Sequence, residues 1–438
     1  MRSLPDTSVP TLNTKPTVSG YIMCFIGLAT FLSAFPSLRL GIGGLSVHPY
    51  LPVLGCLCLV LFFTRPKVSV SQRLGGWEIL FLIAIVASSF VNEETRYLSN
   101  MMPKWTTMII TFYAISYGVR TTGDMKYAIW GLVIGVSFIG IRAVLAFQLN
   151  GGAYVDPLPN IGSRNTYSYW TMAPLGFCLW MFTDDKVNKL TKFFGLFGAA
   201  SMLITLVLTL SRSSVLVAAI NGAMVLILRR SFRTLLFFVL VFLGLSYMLF
   251  ELDFVSSFSG RMNTIQEGGT ESDSLRFDII VMGLQVFIEN PLFGASIPQL
   301  TEILGQELLG VYRVSSHNLF IDLLAGTGLV GTLPFLMCTI RIFIPWTKLR
   351  NVDESPWKST ARYLPILMII IAIGSLFSNE ILFCPSVIIG LAICFSSANH
   401  ALAEPHHRQG SEEDIRPNLT PSRKSLPLHL EGATQARK

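Results

Sequence analysis

The chain has 438 residues, of which 51% are hydrophobic and 13% charged, with mean hydropathy +0.56 and formal net charge +7. Soluble globular chains carry roughly 25% charged residues, so this composition excludes an ordinary water-soluble domain. The positive balance sits in short loops between apolar runs, which makes it a sign of membrane orientation and not a nucleic-acid footprint.

In chain order, residues 1–19 are polar and Pro-rich and are expected to form a disordered N-terminus. They do not have the form of a cleavable leader, because the first apolar run leads on to others. About twelve runs reach the length that crosses a bilayer as a helix. They fall near residues 20–37, 46–63, 76–92, 104–118, 126–147, 166–182, 193–210, 212–228, 234–250, 318–345, 363–378 and 380–397. Hydrocarbon offers no partner to backbone N–H and C=O groups, so runs of this length predict an all-α polytopic bundle. Nine spans occupy residues 20–250 and three more residues 318–400. A long loop, 251–317, separates the two sets, and a disordered tail is expected over 401–438.

Lysine and arginine set the orientation. Alternate loops carry Arg65, Lys67 and Arg73; Arg120 and Lys126; Lys186, Lys189 and Lys192; Arg229, Arg230 and Arg233; and Lys348, Arg350, Lys358 and Arg362. Both termini are therefore expected on the cytoplasmic side and the long loop on the opposite side. The seven cysteines lie in or beside apolar runs, at spacings that suit neither zinc nor a disulfide framework. Inside the long loop, residues 272–289 have apolar side chains at helical spacing, and Asn290-Pro291 stops the pattern. This predicts an amphipathic helix on the membrane surface or capping the bundle.

The topology gathers several polar residues at the extracytoplasmic face. Arg212 lies in Leu210-Ser211-Arg212-Ser213-Ser214, a tight break between two apolar runs. Arg142 sits near that end of the fifth span, Arg164 and Asn165 open the sixth, and Arg261, Arg276 and His317 belong to the long loop. A guanidinium stays charged and presents a planar fork that binds two phosphate oxygens. Arginines facing one leaflet therefore suggest a lipid-linked phosphate or diphosphate. A single interfacial arginine serves equally as an anchor, which is the reading for Arg39, Arg96 and Arg313. His317 stands where the long loop meets a span, and its imidazole can take a proton from a hydroxyl nucleophile. His48 has no motif around it, and His400, His406, His407 and His429 fall toward the cytoplasmic tail. Gly326, Gly328 and Gly331 in the span after His317 suggest close helix approach. No metal motif, nucleotide loop or serine-nucleophile motif faces this side, so no cofactor is expected.

With these residues in place, the chain resembles the O-antigen ligase and polymerase superfamily of bacterial inner-membrane glycosyltransferases. The resemblance rests on His317-Asn318 followed by Gly328-Leu329-Val330-Gly331, on the Ser211-Arg212 break, and on Arg276 followed by Asn290-Pro291-Leu292-Phe293-Gly294. Asn165, opening a span, also fits. Two positions depart from the pattern: Gly326 stands where the family often has an acidic residue, and Ser296 where it often has a second glycine. Asp322 and Glu380 are the candidates to assist the histidine in place of that acid.

The resemblance implies a metal-independent, inverting transferase in the inner membrane with its site facing the periplasm. Its donor would be a glycan on undecaprenyl diphosphate and its acceptor lipid A–core or a growing glycan. It further implies His317 as general base and Arg212 and Arg276 as diphosphate ligands, with Arg142, Arg164, Asn165, Arg261 and Asn318 as further substrate contacts. A ligase is the first reading and a polymerase of O-antigen or exopolysaccharide the second. A protein O-glycosyltransferase is more distant. A transporter of the same lipid-linked sugar is the alternative from another class; its cations would line a path through the bundle, not one face.

Overall fold

The structure is a computed structural model. It describes residues 15–32, 40–42, 45–47, 49–66, 72–95, 98–149, 164–183, 187–209, 217–223, 236, 271–311, 314, 316–376, 378 and 381–414. Contacts divide the chain into residues 1–402 and 403–438, and the account below concerns the first unit.

The described elements are helical apart from one small hairpin. They comprise α1 (Val18–Leu32), the strands β1 (Leu40–Ile42) and β2 (Leu45–Val47), α2 (Tyr50–Thr64), α3 (Gly76–Val91), α4 (Leu98–Gly118), α5 (Thr122–Leu149), α6 (Arg164–Thr183) and α7 (Lys189–Leu208). After the undescribed stretch come α8 (Glu271–Glu289), α9 (Ile297–Leu309), α10 (Leu319–Thr347), α11 (Pro356–Ala361), α12 (Leu364–Ser375) and α13 (Pro385–Asp414). The hairpin pairs Leu40 with Val47 and Ile42 with Leu45. Among the described residues, five helices are long and apolar enough to cross a membrane, and α1, α2 and α3 are shorter apolar helices. The expected spans at 212–228 and 234–250 lie outside the described residues except for short pieces.

Small residues set the closest packing. Gly131 and Gly135, one helical turn apart on α5, face Gly27 of α1. A Cβ on Gly131 would stand 2.2 Å from the carbonyl oxygen of Cys24, and one on Gly135 would stand 2.4 Å from that of Gly27. With no gain from expelling water in lipid, such close backbone approach is a main source of helix association. At the centre of the bundle is α6, whose residues Tyr167 to Leu179 are all buried. Gly176 admits the ring of Tyr363, and Gly390 of α13 abuts Ala173.

The described part of the loop expected over 251–317 holds two helices, the first of them at the place where the sequence predicts one. There α8 and α9 pack against the first turns of α10 as a second apolar cluster of Ile279, Val286, Ala295, Leu300, Leu304, Ile321 and Ala325. Leu275, Ile280, Met282 and Phe287 join its edge. One stripe of α8 thus caps the bundle. A second stripe, Phe277, Val281, Leu284 and Ile288, is exposed at 67, 39, 40 and 73%.

Candidate active site at a broken helix

The site is built around α10, which begins where the histidine motif ends and is broken at the motif's first glycine. Asn318 is its N-cap: Oδ1 accepts from the amides of Phe320 (3.0 Å) and Ile321 (3.3 Å), groups that have no partner inside a helix. Ser316 ties the preceding turn. Its Oγ accepts from Asn318 N–H at 3.0 Å, and its own hydroxyl faces both Asn318 O, at 3.0 Å, and the carboxylate of buried Asp322. Between these anchors His317 has φ 51° and is exposed. This is the left-handed region, which bulky residues enter only when their neighbours hold them there. Asp322, a candidate to assist the histidine, is thus part of the clamp on the turn that carries it; Glu380 lies outside the described residues.

Gly328 has φ 62° and ψ −164°, which breaks the helical path within α10. In an unbroken helix Leu329 N–H would bond Ala325 O, and Val330 N–H would bond Gly326 O. Here all four groups have partners from other elements. Leu329 N donates to Pro291 O (2.9 Å) and Val330 N to Leu292 O (3.0 Å). Ala325 O accepts from Ala295 N (2.7 Å), and Gly326 O from Ser88 Oγ of α3 (2.9 Å). The turn Pro291-Leu292-Phe293-Gly294 is therefore seated in the break, which satisfies backbone that lipid could not. Asn92 of α3 locks it further by donating from Nδ2 to Gly294 O at 2.9 Å.

The seat leaves no room for side chains. A Cβ on Gly328 would lie 2.3 Å from Leu292 O, and one on Gly294 (φ 66°) 2.6 Å from Ala325 O. The sequence reading gave Gly328 a role in close helix approach; its place in the structure is to break one helix and admit a turn. Ser296, the departure from the second glycine, has φ 63° and ψ 147° and is buried, and its side chain caps α9 by accepting from Gln299 N.

Arg276 is exposed on α8. Gly283 of that helix meets Ile321 of α10, and the turn that follows α8 meets α10 farther along at residues 325–330. The two helices therefore progress in the same direction. Arg276, seven residues before Gly283 and on the same face, lies about 10 Å back along α8 from the contact with Ile321. Arg142 is half-buried on α5. Arg164 and Asn165 open α6, with side chains outside the described set, and Arg212 and Arg261 lie outside the described residues.

Sequence reading missed two further sets. Ser88 and Asn92 sit on α3, more than 200 positions from their partners. At the other end of the same helix pair, the Arg341 Nη1 donor reaches both carboxylate oxygens of buried Glu78, at 3.2 and 3.3 Å. Tyr113 also donates to Glu78, and Gly75 N donates to it at 3.0 Å. For Glu78 and Arg341 the sequence offers one signal, an ionisable residue inside an apolar run, though not the partner of either.

Fold and site together define a multi-pass helical membrane protein whose polar site is organised by a helix break at one end of the bundle. Residues 197–336 match the family model described as O-antigen ligase, and this match supports the O-antigen ligase/polymerase superfamily. The matched stretch includes His317, Arg276, Arg212, Arg261 and the seated turn, while Arg142, Arg164 and Asn165 precede it. The family supports ligase/polymerase-type function in general, with lipid-linked glycan substrates. No curated protein sequence matches the chain.

Proposed function

We propose that this protein transfers a glycan from undecaprenyl diphosphate to an acceptor hydroxyl at the periplasmic face of the inner membrane, with lipid A–core as acceptor. The observation that carries this reading is the held His317. It is exposed, and its left-handed turn is held by Ser316 and Asn318. A general base must stand within hydrogen-bond reach of the proton that it takes, so a histidine on a held backbone turn suits the role.

In this reaction the acceptor O–H gives its proton to a ring nitrogen of His317 as its oxygen attacks the anomeric carbon. The bond from that carbon to the diphosphate oxygen breaks on the opposite face, which inverts the configuration. Undecaprenyl diphosphate departs with the bonding electron pair. Arg276 and Arg212 hold the diphosphate and stabilise the charge that grows on it, a role strongest where water is excluded. Arg142, Arg164, Asn165, Arg261 and Asn318 are further contacts to substrate in this scheme.

The second reading is a polymerase that uses the same donor and joins repeat units. A deletion strain separates the two: loss of a ligase leaves long polymer on the lipid carrier, whereas loss of a polymerase leaves single repeats on the acceptor. His317→Asn tests the base, because asparagine tolerates the left-handed conformation that the turn requires. The reading expects normal abundance and no transfer; transfer at the unaltered rate overturns it.

A further inference from the structure

The apolar pattern puts Lys104 at the edge of the fourth span. In the structure α4 begins at Leu98, six residues earlier, so Lys104 lies about 9 Å inside the helix. The turn between α3 and α4 is at the same end of the bundle as the helix break, because Ser88 and Asn92, near the end of α3, bond Gly326 and Gly294. Side chains of a helix lean toward its N-terminus, which directs the Lys104 ammonium to that end.

Met101, Lys104 and Met108 share one face of α4 at i, i+3 and i+7. Met101 lines a small cavity with Gly326 and Thr327. Met108 lines a larger one with Leu319 and Phe320, the residues that follow His317-Asn318. This face of α4 is therefore turned to the first half of α10. Lys104 Nζ stands 5.9 Å from the ring centre of Phe383, in the short turn Ile381–Phe383 before α13. Trp105 packs edge-on against the same ring, and Leu382 lines the larger cavity with Leu319.

A charge inside a membrane helix needs a partner. Arg341, the cation within α10, has the carboxylate of Glu78. Lys104 is exposed, and among the described residues no carboxylate lies within ion-pair range of its ammonium. A ring face attracts a cation without neutralising it, so the ammonium keeps its charge and its three donors. An anchoring lysine points away from the bundle to the headgroups around it. Lys104 differs in sharing the face of α4 that is turned to α10. A point charge on a flexible stem, set a short way below the membrane surface, suits a phosphate carried on lipid.

We infer that Lys104 binds a phosphate of the lipid-linked donor, as a further substrate contact on the α4 side of the site, with the Phe383 ring as the wall that positions it. This inference rests on the proposed transfer reaction for the identity of the donor. A phospholipid headgroup is the competing source of the same phosphate chemistry.

The test uses the full-length protein in phosphatidylcholine nanodiscs with two titrants, a prenyl diphosphate and phosphatidylglycerol. Expected is that Lys104→Gln weakens prenyl diphosphate binding about ten-fold or more, the loss of one hydrogen-bonded charge, and that Lys104→Arg restores most of it. Lys104→Gln should also raise KM for the lipid-linked donor more than it lowers kcat. In the unaltered protein, prenyl diphosphate should slow acylation of Lys104 by a membrane-permeant amine reagent and phosphatidylglycerol should not, a measurement that needs no variant. Unchanged binding in a folded Lys104→Gln protein, or equal protection by the two titrants, overturns the inference. So does a loss of folded Lys104→Gln protein that Glu380→Gln repairs, which makes the lysine the structural partner of that acid. Lys104-dependent binding of prenyl diphosphate without glycan transfer to any acceptor sinks the proposed function and leaves the lysine contact in place.

Discussion

Replacing Gly328 with alanine tests the seated turn directly. The native φ 62° and ψ −164° belong to a region that is essentially glycine-only, so alanine brings about 1–3 kcal/mol of backbone strain. Its Cβ would lie 2.3 and 2.4 Å from O and C of Leu292 and 2.6 Å from Gly294 N, all backbone atoms, so the turn itself must move. Movement breaks the bonds from Leu329 N and Val330 N, and each donor left unsatisfied costs about 1–3 kcal/mol. Against this, the smaller unfolded-state entropy of alanine returns only about 0.4–1 kcal/mol. The net loss is therefore at least about 2 kcal/mol. Gly55→Ala is the control: its Cβ would meet nothing within 4 Å, within helical backbone where alanine is favoured. Thermal unfolding in detergent should show Gly328→Ala well below Gly55→Ala, and hydrogen exchange should show lost protection at Leu329 and Val330. Unchanged melting of Gly328→Ala with both amides still protected would refute the seated-turn account.

Ser88→Ala removes the donor to Gly326 O and should lower stability by about 1–3 kcal/mol, read in the same melting assay; an unchanged melt sinks the α3 contribution. Ser296→Gly should stabilise the protein, because relief of about 1–3 kcal/mol of strain exceeds the few tenths lost at the helix cap and the added flexibility of glycine; a lower melting temperature contradicts this. Glu78→Ala leaves Arg341, 22% exposed, without its carboxylate and should destabilise by about 1–3 kcal/mol. Arg341→Met combined with it should restore part of the loss, and strictly additive effects would show that the two are not coupled.

Much of the helix layout was legible because apolar runs, proline stops and caps are local. The end of α8 at Glu289 follows from Asn290-Pro291, and Asn318 opens α10 as its side chain permits. His317 and Arg276 were legible as candidates by chemistry and pattern, but the left-handed turn that carries His317 was not. Gly328 was legible as glycine and misread in role, whereas Gly326 does admit close approach, by Ile297 at the start of α9. A helix break and a close helix crossing call for the same residue, and only the partners waiting at Pro291, Leu292, Ala295 and Ser88 tell them apart. Ser88, Asn92, Glu78 and Arg341 were not found because each takes its meaning from a partner that no local spacing encodes.

By itself, then, the sequence determined an α-helical membrane protein with basic loops on one side and a histidine–arginine set assigned to the other, because hydropathy and charge are sums over neighbouring residues. The tertiary structure decided that α10 breaks at Gly328, that a turn from another segment completes its backbone bonding, and that Glu78 of α3 pairs with Arg341 of α10. Those features depend on which groups approach across hundreds of residues. In lipid, every such group must find a partner, and only the packed bundle specifies which.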